Sequence, residues 1–152
     1  MTDIKVNVAL ESLTLSSRKA VTGEIYFENI EGDFPGLHWN DFVVVILHWW
    51  IEAIYRIEKA PVGEVAEFLF MDGPYLVRGC KIDQNIIQLD FIKSQLKGEQ
   101  ILSSVNCDIS SFEKSVLTTA KKVVAEINKR KWVANELDKL NVAVKRYSRM
   151  HD

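Results

Sequence analysis

The sequence predicts an α+β fold: an antiparallel sheet of about six strands, in the order ββαββββαα, packed against a buried Trp-rich helix and two C-terminal helices. Three observations lead there. Six segments alternate apolar and polar residues, or run apolar at strand length, between clusters of turn formers. Residues 40–59 are apolar around most of a helical circumference. After Ser110 the apolar period changes from that of a strand to that of a helix. The 152 residues fit one domain, 1–152, and 47% hydrophobic with 26% charged residues excludes disorder and collagen-like repeats.

In the first strand Ile4, Val6, Val8 and Leu10 face one way, and Lys5, Asn7 and Glu11 the other. A polar turn, Ser16-Ser17-Arg18-Lys19, leads to a second alternation, Val21, Ile25 and Phe27 against Thr22, Glu24 and Glu28. Turn formers from Glu31 to Gly36 read as a loop. In the helix that follows, Asn40 or Asp41 is expected to cap the first turn, and Pro61 forbids continuation. Its polar stripe is narrow: Asp41, His48, Glu52, Arg56 and Lys59.

Val65 to Met71 is almost continuously apolar and reads as a central strand. Asp72-Gly73 is a hairpin signal, with Tyr75 to Ile82 as the return. Ile86–Ile92 and Ile101–Cys107 alternate again, the latter with Ile101, Val105 and Cys107 inward, so these four strands predict a meander. Ser110-Ser111-Phe112-Glu113 fits a capping box for a helix whose apolar face is Phe112, Val116, Ala120, Val123, Val124 and Ile127. A break near Lys131-Trp132 precedes Asn135, an expected cap for a last helix bearing Leu137, Leu140, Val144 and Tyr147.

The start of the chain has no basic segment followed by an apolar one, which points to the cytoplasm. The apolar run Phe42–Ile51 is about half the roughly 20 residues a membrane span needs, so no membrane partner is expected. Cys80 and Cys107 lack any metal or redox spacing and read as thiols in a reducing compartment.

Catalytic signals are sparse. His48 and Glu52 lie one turn apart and could serve a pocket between helix 40–59 and the sheet, together with Tyr75. That spacing also suits an ion-paired helix face. There is no phosphate-binding glycine loop, nucleophile elbow or EF-hand spacing, so neither metal nor cofactor is expected. Of Trp39, Trp49 and Trp50, the first is the candidate aromatic anchor, since it sits at a loop–helix junction.

The net charge of −2 conceals a division: residues 1–112 carry −7 and residues 113–152 carry +5. Acidic residues crowd the second strand and the loop after it: Glu24, Glu28, Glu31, Asp33 and Asp41. Such a face steers a basic partner and repels nucleic acid. The basic clusters Asn128–Trp132 and Lys145–Arg149 have adjacent aromatics that could stack bases, yet both fall in last helical turns, where cations suit the helix dipole.

Phe34-Pro35, Trp39-x-Asp41-Phe42, Leu47-x-Trp49-Trp50 and Phe70-Met71-Asp72-Gly73-Pro74-Tyr75, with the element order, form a pattern. It resembles small bacterial proteins of the polymorphic-toxin immunity type, over about residues 4–145. The resemblance implies a cytosolic, non-catalytic domain that binds and neutralises a cognate toxin. The expected function is therefore a protein-binding module, monomeric or homodimeric, that meets a basic partner through Glu24, Glu28, Glu31, Asp33 and Asp41 with Trp39. The alternatives are a small enzyme or ligand-binding domain using His48, Glu52 and Tyr75, and a structural homodimer joined through a strand edge or Trp50.

Overall fold

The computed structural model describes residues 3–150, and the side chains of 3–148; His151 lies outside them. The class is α+β, but the strands gather into two antiparallel sheets instead of one. In the first sheet a long strand, Val21–Asn29 (β3), is the hub. It pairs with Lys5–Val8 (β1), Thr14–Leu15 (β2), Gly32–Phe34 (β4) and Asn40–Asp41 (β5). The second sheet is the expected meander of Val65–Leu69 (β6), Tyr75–Lys81 (β7), Ile86–Gln95 (β8) and Gly98–Asp108 (β9). Alternation shows which way each side chain points but not which strand lies alongside, so it could not divide the strands between sheets.

Three helices, Val43–Lys59 (α1), Ile109–Lys129 (α2) and Leu137–Met150 (α3), pack against the sheets. Nine of the seventeen α1 residues are buried, as its narrow polar stripe demands. Phe27 of β3 is fully buried where the layers meet, against Trp50 of α1, Phe91 of β8, Phe112 of α2 and Phe70. Trp50 also donates its indole N–H to the Leu69 carbonyl at 2.9 Å, whereas Trp49 is 38% exposed. On β1, Val6 N–H donates to Ser115 Oγ (2.8 Å) and Val6 O accepts from Thr119 Oγ1 (2.9 Å). Two α2 hydroxyls thus satisfy backbone groups that an open strand edge would leave unpaired.

Several local expectations are corrected. The Glu31–Gly36 segment is not all loop: Gly32–Phe34 returns along β3 as β4. Helix α1 begins at Val43, because Asn40 and Asp41 are held in β5 opposite Glu24 and Gly23. Val65–Leu69 is an edge strand, with only Ala66 and Phe68 buried; its apolar run reflects an exposed Val65 and Leu69, not burial on two faces. Ile101 is 56% exposed because Leu102 is inserted as a bulge, with Phe91 facing Ser103 and Ile92 facing Ile101. The cap of α2 is Asp108, which accepts from Ser111 N–H, and Ser110 lies inside the helix. Asn135 does not cap α3. Its side chain donates to Arg18 O and its N–H to Lys19 O, tying the α2–α3 connection to the β2–β3 turn.

Cys80 is half-buried and Cys107 buried. Burial, then Asp108 and Asp3, push the Cys107 thiol up to about 12. A native-state value above the ordinary one stabilises the fold below the ordinary value and gives that stability back as pH rises through the native value. Native protein at about pH 8 should therefore react with a thiol reagent at Cys80 alone, and Cys107 should react only on unfolding. Equal labelling of both would contradict the burial of Cys107.

Candidate partner-binding face

On β3 the inward residues Val21, Gly23, Ile25 and Phe27 are buried, which turns Thr22, Glu24, Tyr26 and Glu28 outward. Register then assembles a charged surface around them. β1 places Lys5 beside Glu28 and Asn7 beside Tyr26, and β4 places Asp33 opposite Glu28. The Asn7 amide donates to Glu28, and His38 Nδ1 lies 2.6 Å from Glu24 Oε1. Glu31 is exposed on the β3–β4 turn, where its N–H donates to Asn29 Oδ1 at 2.6 Å. Directly opposed like charges destabilise a sheet, so Glu28 facing Asp33 works against the pairing of β3 with β4.

The Tyr26 phenol registers this environment. Its pKa is raised, first by partial burial and then by Asp33, Glu28, Glu24 and Glu11. Replacing Glu28 by Gln and Asp33 by Asn together should lower the Tyr26 pKa towards its ordinary value, as read from its ring resonances. An unchanged titration would place the carboxylates too far away to matter. Glu11 and Tyr26 were not singled out in the sequence. Glu11 sits on a short 3-10 turn, Leu10–Ser12, and reaches this face only through the pairing of β1 with β3.

Asp41 and Trp39 do not belong to it. Asp41 is fully buried. Its Oδ1 accepts from Phe42 N–H (2.8 Å), and its Oδ2 from Trp39 Nε1 (3.1 Å) and Asp72 N–H (3.2 Å). The carboxylate thereby joins the start of α1 to the β6–β7 turn. Gly73 in that turn has φ +72°, and a Cβ there would sit 2.7 Å from Trp39 Cη2. Tyr75 meets the Trp39 and Phe34 rings edge to face, 5.3 and 5.6 Å between centroids. Trp39 is half-buried in this joint, with its indole N–H on Asp41 and its ring against Phe70 and Tyr75. The Phe-Pro, Trp-x-Asp and Asp-Gly-Pro-Tyr signatures therefore meet at one internal junction.

No family, no curated protein and no solved structure matches this chain.

The alternative pocket is not assembled. His48 and Glu52 line a shallow, open cleft between α1 and α3, where Glu52 Oε1 accepts from Arg146 Nη2 at 2.6 Å and lies 3.6 Å from His48 Nε2. Tyr75 is in the Trp39 joint and does not line the cleft. Among the described residues no group of three or more His, Cys, Asp or Glu is placed to hold a metal ion, and no helix is long and apolar enough to cross a membrane.

Both basic clusters have their aromatics engaged. Arg130 donates to the Leu13 and Leu10 carbonyls and to Glu126, and lies over the Trp132 ring. Tyr147 is buried, and Arg146 lies over Tyr55.

Proposed function

We propose that this protein is a cytosolic binding module that neutralises a basic protein partner, such as a toxin domain, by covering it with the outer face of the first sheet. The observation that carries this reading is the outer face of β3, where Glu24 and Glu28 flank Tyr26 and β4 sets Asp33 opposite Glu28. Lys5 lies beside Glu28 on the neighbouring strand. A face of one sign accelerates encounter with a complementary surface, and an aromatic at its centre supplies contact area once encounter has occurred. The mechanism is occlusion with electrostatic steering, and it needs neither catalysis nor a cofactor. Tyr26 takes the anchoring part expected of Trp39, and Glu31 extends the face at the hairpin tip.

The test uses the intact protein as bait beside a triple variant, Glu28→Lys, Glu31→Lys and Asp33→Lys. Wild type should retain a basic protein whose association slows as salt rises, and the variant should lose both retention and salt dependence. Equal retention with an equal salt response would reject this face.

A further inference from the structure

Between β1 and α2 lies an open cleft of about 560 Å³, a volume in the range of small-molecule sites. One face of α2 forms the longer wall: Ser111, Lys114, Ser115, Thr118, Thr119 and Lys122, at helical spacing and all polar. The two walls are tied together by the bonds that Val6 makes to Ser115 and Thr119. Ser115 Oγ accepts from Val6 N–H, which fixes the hydroxyl and leaves its own proton to donate. Lys114 and Lys122 stand just over two turns apart, about 12 Å along the axis, and Lys5 lines the cleft from β1. Asp3 is the one carboxylate on its walls.

These three lysines differ from the other cations of the fold. Arg78, Arg130, Arg146 and Lys139 each sit on a carboxylate, and Lys81 on helix carbonyls. Lys5, Lys114 and Lys122 form no ion pair or side-chain hydrogen bond among the described residues. Even with Glu28 across the strand pair from Lys5, cations outnumber carboxylates around the cleft.

From this geometry we propose that the β1–α2 cleft binds a small hydroxylated molecule through a phosphate group that the molecule carries. A phosphate monoester brings a charge of about −1.5 to −2 and three acceptor oxygens, which several lysines and hydroxyls match better than they match a carboxylate. The cleft is much larger than the phosphate alone, and the Ser and Thr hydroxyls along α2 offer donors and acceptors to hydroxyls on the rest of the molecule. This site stands apart from the outer face of the first sheet and requires no protein partner.

The probes are glycerol phosphate and inorganic phosphate, added to the full chain at constant ionic strength, with acetate as the control anion. Both phosphates should shift the amide resonances of Ser115, Thr118 and Lys122 to saturation, glycerol phosphate at several-fold lower concentration, and acetate should not. Lys114→Gln combined with Lys122→Gln should weaken glycerol phosphate about tenfold. Lys121→Gln combined with Lys129→Gln removes the same charge from α2 outside the cleft, and should leave the affinity unchanged. Asp3→Asn, which removes the one carboxylate, should tighten binding. All these positions are exposed, so the variants leave the core intact. The proposal fails if the resonances stay unmoved, if acetate acts as phosphate does, or if the two lysine pairs weaken binding equally. It fails equally if free phosphate binds as tightly as glycerol phosphate, or if Asp3→Asn weakens binding.

Discussion

Replacing Lys81 by Met is expected to lower the unfolding free energy by about 3 kcal/mol, because three carbonyls at the end of α1 lose a charged donor at once. Lys81 points inward from β7 and is 2% exposed. Its ammonium donates to the carbonyls of Ile57, Glu58 and Ala60 at 3.2, 2.9 and 2.8 Å. These carbonyls close α1, where the helix dipole favours a cation; the Ile57 carbonyl also accepts from Ala60 N–H at 3.2 Å. Met fills similar space and restores none of the three bonds. Lys81→Arg should also destabilise, since a planar guanidinium cannot repeat the threefold donation of an ammonium. Denaturant melts with an unchanged m-value would register the loss as one of stability. A Lys81→Met protein within about 0.5 kcal/mol of wild type, the range of ordinary surface substitutions, would show that the cap contributes nothing.

Phe27→Ala is expected to cost about 3–5 kcal/mol, the range for truncating a buried aromatic whose site cannot collapse. The Phe27 ring lies 4.7 Å from Trp50, 5.8 Å from Phe91, 6.1 Å from Phe70 and 6.2 Å from Phe112, centroid to centroid. These partners come from both helix layers and from the second sheet, so relaxation of one element cannot fill the void. Phe27→Leu keeps most of the volume and should cost less than about 1.5 kcal/mol. The neighbouring Glu28 faces solvent, and Glu28→Lys should change stability by no more than about 0.5 kcal/mol. One strand therefore separates the two properties: position 27 tests the core and position 28 tests recognition. A Phe27→Ala protein as stable as wild type would contradict its place at the junction of the layers.

What the sequence made legible is what is local. The helical period read over residues 40–59, the four meander strands and the apolar face of α2 follow from spacing alone, and the structure keeps each of them while moving their ends, the helix start to Val43 among them. The Asp72-Gly73 turn was likewise legible, and the left-handed φ of Gly73 is its reason. The rest depends on pairings between distant residues. Asp41 looks like a helix cap because it precedes an apolar period, yet β3 captures it as a strand and three N–H groups bury its carboxylate. Lys81 is one more polar residue in a strand until the end of α1 arrives above it.

The candidate face was half visible. Glu24, Glu28 and Asp33 could be read from their density in the sequence, because β3 carries two of them and the hairpin returns the third. Tyr26 and Glu11 could not. Tyr26 counts as an outward residue like any other until the register sets carboxylates beside it, and Glu11 lies on the 3-10 turn that follows β1. The division of charge into −7 and +5 also gains a spatial meaning. The acidic part includes the outer face of the first sheet, and the basic part includes most of α2 and α3.

The central claim is that the outer face of β3 and β4 meets the partner. Hydrogen exchange of the captured complex, compared with the free protein, tests it directly, because amide protection marks the covered surface whatever the partner's identity. The claim predicts new protection along Glu24–Asp33 and a shifted Tyr26 ring resonance. Protection confined to the second sheet or to the C-terminal helices, with Tyr26 unchanged, would contradict it.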